Sequence, residues 1–212
     1  MIRRAVAWDI DGTLVDSEPR HHRALLAASL RWGVDFSDLP DQAFRGVHMG
    51  DVWDVLRDRL PGDLGMVEWL AAINACYAAD RGAMAPMPGA VRTMRALADR
   101  GVAQICVSNS SRSVVDANIA ALGIGDCILG SISLDDVTAG KPDPTPYRDA
   151  CRRLALAPQQ VVAVEDSATG AQSARAAGLF VVGYCPDGGG MADVDLVTAD
   201  LGDILALVMA GE

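Results

Sequence analysis

The chain has 212 residues, half of them hydrophobic but only 5% aromatic, with a formal net charge of −10 and a pI of about 4.6. So apolar a composition can build a sizeable core packed mainly by aliphatic side chains, and so acidic a chain argues against nucleic acid as a partner, since that binding depends on Lys and Arg neutralising phosphates. Five scattered cysteines without a CxxC pair argue against a disulfide framework or a zinc site, and no apolar stretch approaches the length of a membrane span.

The first element is a buried strand, Ala5-Val6-Ala7-Trp8, ending on Asp9-Ile10-Asp11-Gly12-Thr13. Residues 16–84 then contain no convincing strand. Apolar residues fall there at helical spacing, at Val52, Leu56 and Leu60 and again at Val67, Leu70 and Ile73, with a break at Pro61-Gly62. The segment therefore reads as a helical insert, and residues 1–15 and 85–212 as the parent domain. Beyond it, helical patterns near 89–100, 112–122, 145–155, 168–177 and 201–209 alternate with apolar runs at Ile105–Val107, Val161–Val164 and Phe180–Val182. Gly101, Gly123 and Gly178 follow three of the helices as C-terminal stops. Strands apolar on both faces belong in a parallel sheet covered by helices, so the fold class is α/β: a Rossmann-like, doubly wound core with an inserted α-helical domain.

Four short motifs lie at strand ends or in the loops near them. Asp9 and Asp11, at i and i+2, point to one side of an extended chain, and Gly12 permits a tight turn. An EF-hand reading fails because an apolar strand precedes the pair and no Glu stands at the twelfth position. Ser108-Asn109-Ser110-Ser111 can hold phosphate oxygens or cap the next helix. Lys141, ahead of Pro142, can stand as a fixed point charge or lie on the surface. Glu165-Asp166-Ser167 closes a buried strand, where paired acids suit a cation such as Mg²⁺ or an acidic helix cap. One sheet edge would gather all four motifs, and together they point to phosphoryl chemistry on a small phosphorylated molecule.

Read from Asp9-Ile10-Asp11-Gly12-Thr13-Leu14-Val15-Asp16-Ser17-Glu18 through Val107-Ser108-Asn109, Lys141-Pro142-Asp143 and Glu165-Asp166-Ser167-Ala168-Thr169-Gly170, the chain resembles the haloacid dehalogenase superfamily. Within it, the similarity is to the group that includes β-phosphoglucomutase and the sugar-phosphate and phosphoglycolate phosphatases. The resemblance implies that Asp9 is a nucleophile forming an aspartyl-phosphate and that Asp11 is the general acid and base. It implies Mg²⁺ held by Asp9, the main-chain carbonyl of Asp11 and Asp166, with Glu165 as a further ligand or a neighbour of the ligands, and phosphate oxygens held by Ser108, Asn109 and Lys141. The insert would be a cap that closes over the site and sets specificity.

Phe44-Arg45-Gly46-Val47-His48-Met49 resembles the cap loop of β-phosphoglucomutase, so Arg45, Gly46, Val47 and His48 become substrate candidates, as do Ser110 and Arg112 in the core loop. His21 falls where that mutase has a hinge histidine, and is either a gate for Asp11 or a solvated helix residue. The mutase has an arginine where this chain has Met49, and lacks Thr13. Both differences favour a phosphatase, leaving Arg45 or Arg112 as substitutes if a second phosphate has to be gripped. A cytoplasmic monomer with no membrane partner completes the expectation.

Overall fold

The computed structural model describes residues 3–40, 43–44, 49–80 and 82–209. The chain divides into two compact units, one formed by Met1–Asp16 with Ala85–Glu212 and the other by Ser17–Met84.

In chain order the elements are β1 (Ala5–Trp8), β2 (Val15–Asp16), α1 (Glu18–Ser29), α2 (Met49–Leu56), α3 (Met66–Ala79), β3 (Ala85–Pro86), α4 (Ala90–Ala98), β4 (Ala103–Val107), α5 (Arg112–Leu122), β5 (Ser131–Ile132), α6 (Thr145–Leu154), β6 (Val161–Glu165), α7 (Ala168–Ala176), β7 (Phe180–Tyr184), β8 (Leu196–Thr198) and α8 (Asp203–Met209). Six strands form one parallel sheet in the order β5-β4-β1-β6-β7-β8, and β2 and β3 pair separately as a short antiparallel ribbon. Without that ribbon the order is that of a doubly wound sheet: the chain starts in the middle, builds outward through β4 and β5, then returns to β6 on the other side of β1. Such a sheet binds ligands at the C-terminal strand ends beside the reversal, which here separates β1 from β6.

The central strands are buried on both faces, as their unbroken apolar runs require. All four residues of β1 are fully buried, with Ala7 level with Ile105 of β4 and Ala163 of β6. Ala5, Ala7, Ile105, Val107, Val161 and Ala163 face a core completed by Tyr147, Ala150 and Leu154 of α6 and Ala171 and Ala174 of α7. On β4, Gln104 is a buried polar residue with its groups matched: its Oε1 accepts from Trp8 Nε1 at 2.9 Å, and its Nε2 donates to the carbonyls of Met94 (2.8 Å) and Cys127 (3.1 Å). β5 and β8, of two and three residues, are too short for a periodic signal, and the exposed Leu196 and Val197 of β8 lack the apolar burial of an inner strand.

The helical unit packs α1 against α3. Trp69, Ala72, Ile73 and Tyr77 form the buried stripe of α3, whereas Val67 is 78% exposed. The expected stripe of Val67, Leu70 and Ile73 is therefore rotated: Trp69 sets the buried face, and its indole lies 5.5 Å from the Trp53 ring while its Nε1 donates to Ser29 Oγ at 3.4 Å. Val52 and Leu56 of α2 are buried as their spacing predicts, but the helix ends at Leu56, and Leu60 is buried beyond it in extended backbone. Arg20 on α1 donates to the carbonyls of Asp80 (2.5 Å) and Gly82 (3.1 Å), which ties the end of the insert back to its beginning. No helix among the described residues is long and apolar enough to cross a membrane.

Candidate active site

Strand ends β1, β4 and β6 and the loop before α6 deliver the site. Asp9 directly follows β1, its N–H donating to the Val164 carbonyl of β6 at 3.0 Å. The carboxylate is buried, and its Oδ1 accepts from Lys141 Nζ at 2.6 Å. Lys141 also donates to the Val107 carbonyl at 2.9 Å and pairs with Glu165 Oε1 at 2.6 Å. An ammonium has three donors, and all three are matched. Glu165 is fully buried at the end of β6 and also accepts from the Tyr147 hydroxyl of α6.

Two glycines allow this crowding. Gly12 turns at φ +84°, and a Cβ there would lie 2.0 Å from Asp166 Oδ2. A Cβ at Gly170, in the first turn of α7, would lie 1.9 Å from Glu165 Oε2. The α7 cap is Ser167, whose Oγ accepts from the Gly170 N–H at 3.1 Å, so the acid pair before it is not used in capping.

Charge is unbalanced here. Burial pushes the Asp9 carboxyl well above the usual range; Lys141 opposes this, while Glu165, Asp166 and Asp11 reinforce it. Burial and Glu165 push Asp166 up to about 7 against the pull of Lys141. Burial would lower the Lys141 ammonium, but Asp9 and Glu165 outweigh it and hold the charge. Burial, then Glu165, raises the Tyr147 phenol, which stays protonated and able to donate. Carboxylate oxygens of Asp9, Glu165 and Asp166 lie within 4.8 Å of one another, and the buried Asp9 Oδ2 accepts no hydrogen bond. A partnerless buried carboxylate oxygen amid surplus negative charge fits a hard divalent cation, and an all-oxygen donor set suits Mg²⁺.

Asp11 turns toward the loop after β4. Its Oδ2 accepts from Ser108 Oγ (3.1 Å) and Ser110 Oγ (2.9 Å), and its Oδ1 accepts from Asn118 Nδ2 (3.0 Å). Ser108 Oγ in turn accepts from the Ser110 N–H at 2.9 Å.

Asn109 and Arg112 are both tied to neighbouring segments. The Asn109 side chain pairs with the main chain of Lys141, Nδ2 donating to the carbonyl at 2.9 Å and Oδ1 accepting from the N–H at 2.7 Å. It braces the lysine loop. Arg112 is engaged by Ser131 Oγ (2.7 Å), Asp116 (3.0 Å) and Asp136. Within the helical unit His21 stacks on Tyr77, ring centroids 4.4 Å apart. Arg45, Gly46, Val47 and His48 lie outside the described residues. Asn118 was not among the expected site residues; a lone polar residue in the Val114, Val115 and Leu122 face of α5 is the signal that marks it.

A sequence model described as haloacid dehalogenase-like hydrolase matches residues 3–178. The chain belongs to the haloacid dehalogenase-like hydrolases. Relatives in this family include validoxylamine A 7'-phosphate phosphatase of Streptomyces hygroscopicus subsp. limoneus, 30% identical over 95% of this chain and 95% of that one. Hexitol phosphatase A of Escherichia coli is 30% identical over 93% of this chain and 91% of its own length. Among solved structures, CbbY from Rhodobacter sphaeroides in complex with phosphate superposes with a TM-score of 0.83, 25% identity and 96% coverage of both chains. These likenesses span both the sheet and the insert.

Proposed function

We propose that this hydrolase is a Mg²⁺-dependent phosphatase of a small phosphorylated metabolite, a sugar phosphate by preference, working through an aspartyl-phosphate on Asp9. One observation carries the reading: the Asp9 carboxylate stands at the reversal of the sheet, held by Lys141 at 2.6 Å on one oxygen and partnerless on the other, with the second acid of the motif two residues on. Phosphoryl transfer asks for positioning and charge neutralisation more than for covalent machinery, and the relatives over most of the chain carry phosphatase names.

Asp9 and Asp166, with the Asp11 main-chain carbonyl, would hold the metal. Glu165, whose Oε1 is occupied by Lys141 and Tyr147, fits better as the neighbour that orients Lys141. Bound there, Mg²⁺ supplies neutralisation of the phosphoryl oxygens. The Asp9 carboxylate attacks phosphorus, the bond from phosphorus to the ester oxygen breaks, and a proton on Asp11 passes to that oxygen. Water then attacks the aspartyl-phosphate, gives its proton to Asp11, and frees phosphate and Asp9. Lys141 and the Ser108 hydroxyl take phosphoryl oxygens in exchange for partners they hold here, Asp9 Oδ1 for the lysine and Asp11 Oδ2 for the serine.

A mutase would need a cation for a second phosphate. Met49 is uncharged and Arg112 is engaged, leaving Arg45 of the candidates. The experiment is phosphate release, with Mg²⁺ and then EDTA, from a panel of sugar phosphates, phosphoglycolate and nucleoside monophosphates, with Asp9→Asn as the blank. Metal-dependent release from a few substrates, lost by on the order of 10⁴-fold or more in Asp9→Asn, is expected. Near wild-type release from Asp9→Asn would end the proposal, and β-glucose 1-phosphate converted to glucose 6-phosphate without free phosphate would replace it with the mutase.

A further inference from the structure

α5 buries Val114, Val115, Asn118 and Leu122. Three of these are apolar, and the fourth is an amide with no exposure at all. An amide in such a place costs stability unless its groups are matched, and its Nδ2 donates to Asp11 Oδ1 at 3.0 Å. The other oxygen of Asp11 faces two hydroxyls, Ser108 Oγ at 3.1 Å and Ser110 Oγ at 2.9 Å.

The two sides of this carboxyl group are chemically unlike. An amide N–H only donates, so the oxygen facing it has to accept whether or not Asp11 carries a proton. A hydroxyl donates or accepts by rotating about its C–O bond, so it can satisfy an oxygen either with or without a proton. Of these three partners, the two hydroxyls at Oδ2 tolerate an O–H there, and the amide at Oδ1 does not.

We infer that Asn118 is a positioning residue for the reaction: it pins Oδ1 of Asp11 and leaves Oδ2 as the oxygen that carries and delivers the proton. This rests on the acid–base role proposed for Asp11. Asn118 touches neither substrate nor reacting atoms; it acts through the orientation of the carboxyl group.

The test exploits leaving groups. An alkyl ester needs its leaving oxygen protonated, whereas p-nitrophenolate leaves without help. In Asn118→Leu, kcat/KM for the alkyl phosphate turned over fastest in the panel above is expected to fall about 10²-fold, and for p-nitrophenyl phosphate by less than about threefold. Asn118→Asp keeps the size but removes the obligatory donor, and is expected to show the same selective loss, which decides the matter should Asn118→Leu fail to fold. On the alkyl ester, adding Asn118→Leu to Asp11→Ala is expected to cost nothing further, since the group it orients has gone. Equal losses on both esters, multiplicative losses in the double variant, or unchanged kinetics would overturn the inference. Wild-type protein that releases no phosphate from any ester would instead overturn the phosphatase reading beneath it.

Discussion

The sheet unit and the helical insert handle charge in opposite ways. At the sheet edge, Lys141, Asp9 and Glu165 are buried together, and acids outnumber the one ammonium. In the insert ion pairs such as Arg59 and Asp38, at 2.7 Å, lie at the surface, the buried Arg20 beside Asp80 being an exception, while Trp69, Ile73 and Tyr77 do the packing. A structure held only for stability would follow the second pattern, because burying charge is costly unless it is matched. The contrast marks the sheet edge as the place where folding free energy is given up for chemistry.

Removing the one cation should expose that cost most sharply. Lys141→Met leaves Asp9 and Glu165 buried without a counter-charge, and urea denaturation is expected to find it about 3–5 kcal/mol less stable. A loss below about 1 kcal/mol would mean that the cluster is less dry than its burial indicates.

Next in size is a dependence on pH and metal. Without metal, Asp166 in the folded protein titrates near 7, above its ordinary 3.8. The folded state then binds more protons than the unfolded state between these values, so stability falls as pH rises through that window and stays low above it. In EDTA the Tm is expected to drop by at least about 4 °C from pH 5 to pH 8, and added Mg²⁺ to raise Tm more at pH 8 than at pH 5. A Tm that ignores both variables would remove the acid surplus from the account.

Smallest is the control in the insert. Val67→Asp, on the open side of α3, is expected to change stability by no more than about 0.5 kcal/mol. A larger loss would return Val67 to the packed stripe.

The inner strands were legible because Ala5–Trp8, Ile105–Val107 and Val161–Val164 are apolar at every position, a pattern that a strand buried on both faces imposes. β5 and β8 were not, since two or three residues carry no period. The phase of α3 was missed because Val67, Leu70 and Ile73 keep helical spacing on their own, and only the bulk of Trp69 and Tyr77 decides which face turns inward. The acids at Asp9, Asp11, Glu165 and Asp166 announced themselves by standing at strand ends. The partners of Asn109 and Asn118, and those of Arg112 other than the nearby Asp116, did not, because each lies 19 or more residues away in the chain: Lys141 for the first, Asp11 for the second, Ser131 and Asp136 for the third.

The central claim is that Asp9 is the group that receives phosphate. Its most direct test is to quench the wild-type enzyme in acid during turnover, digest it and examine the peptide carrying Asp9 by mass spectrometry. A phosphoryl adduct on Asp9, absent from Asp9→Asn and dependent on Mg²⁺, is the expected result. Turnover with no adduct on that peptide, or an adduct on another residue, would contradict the account.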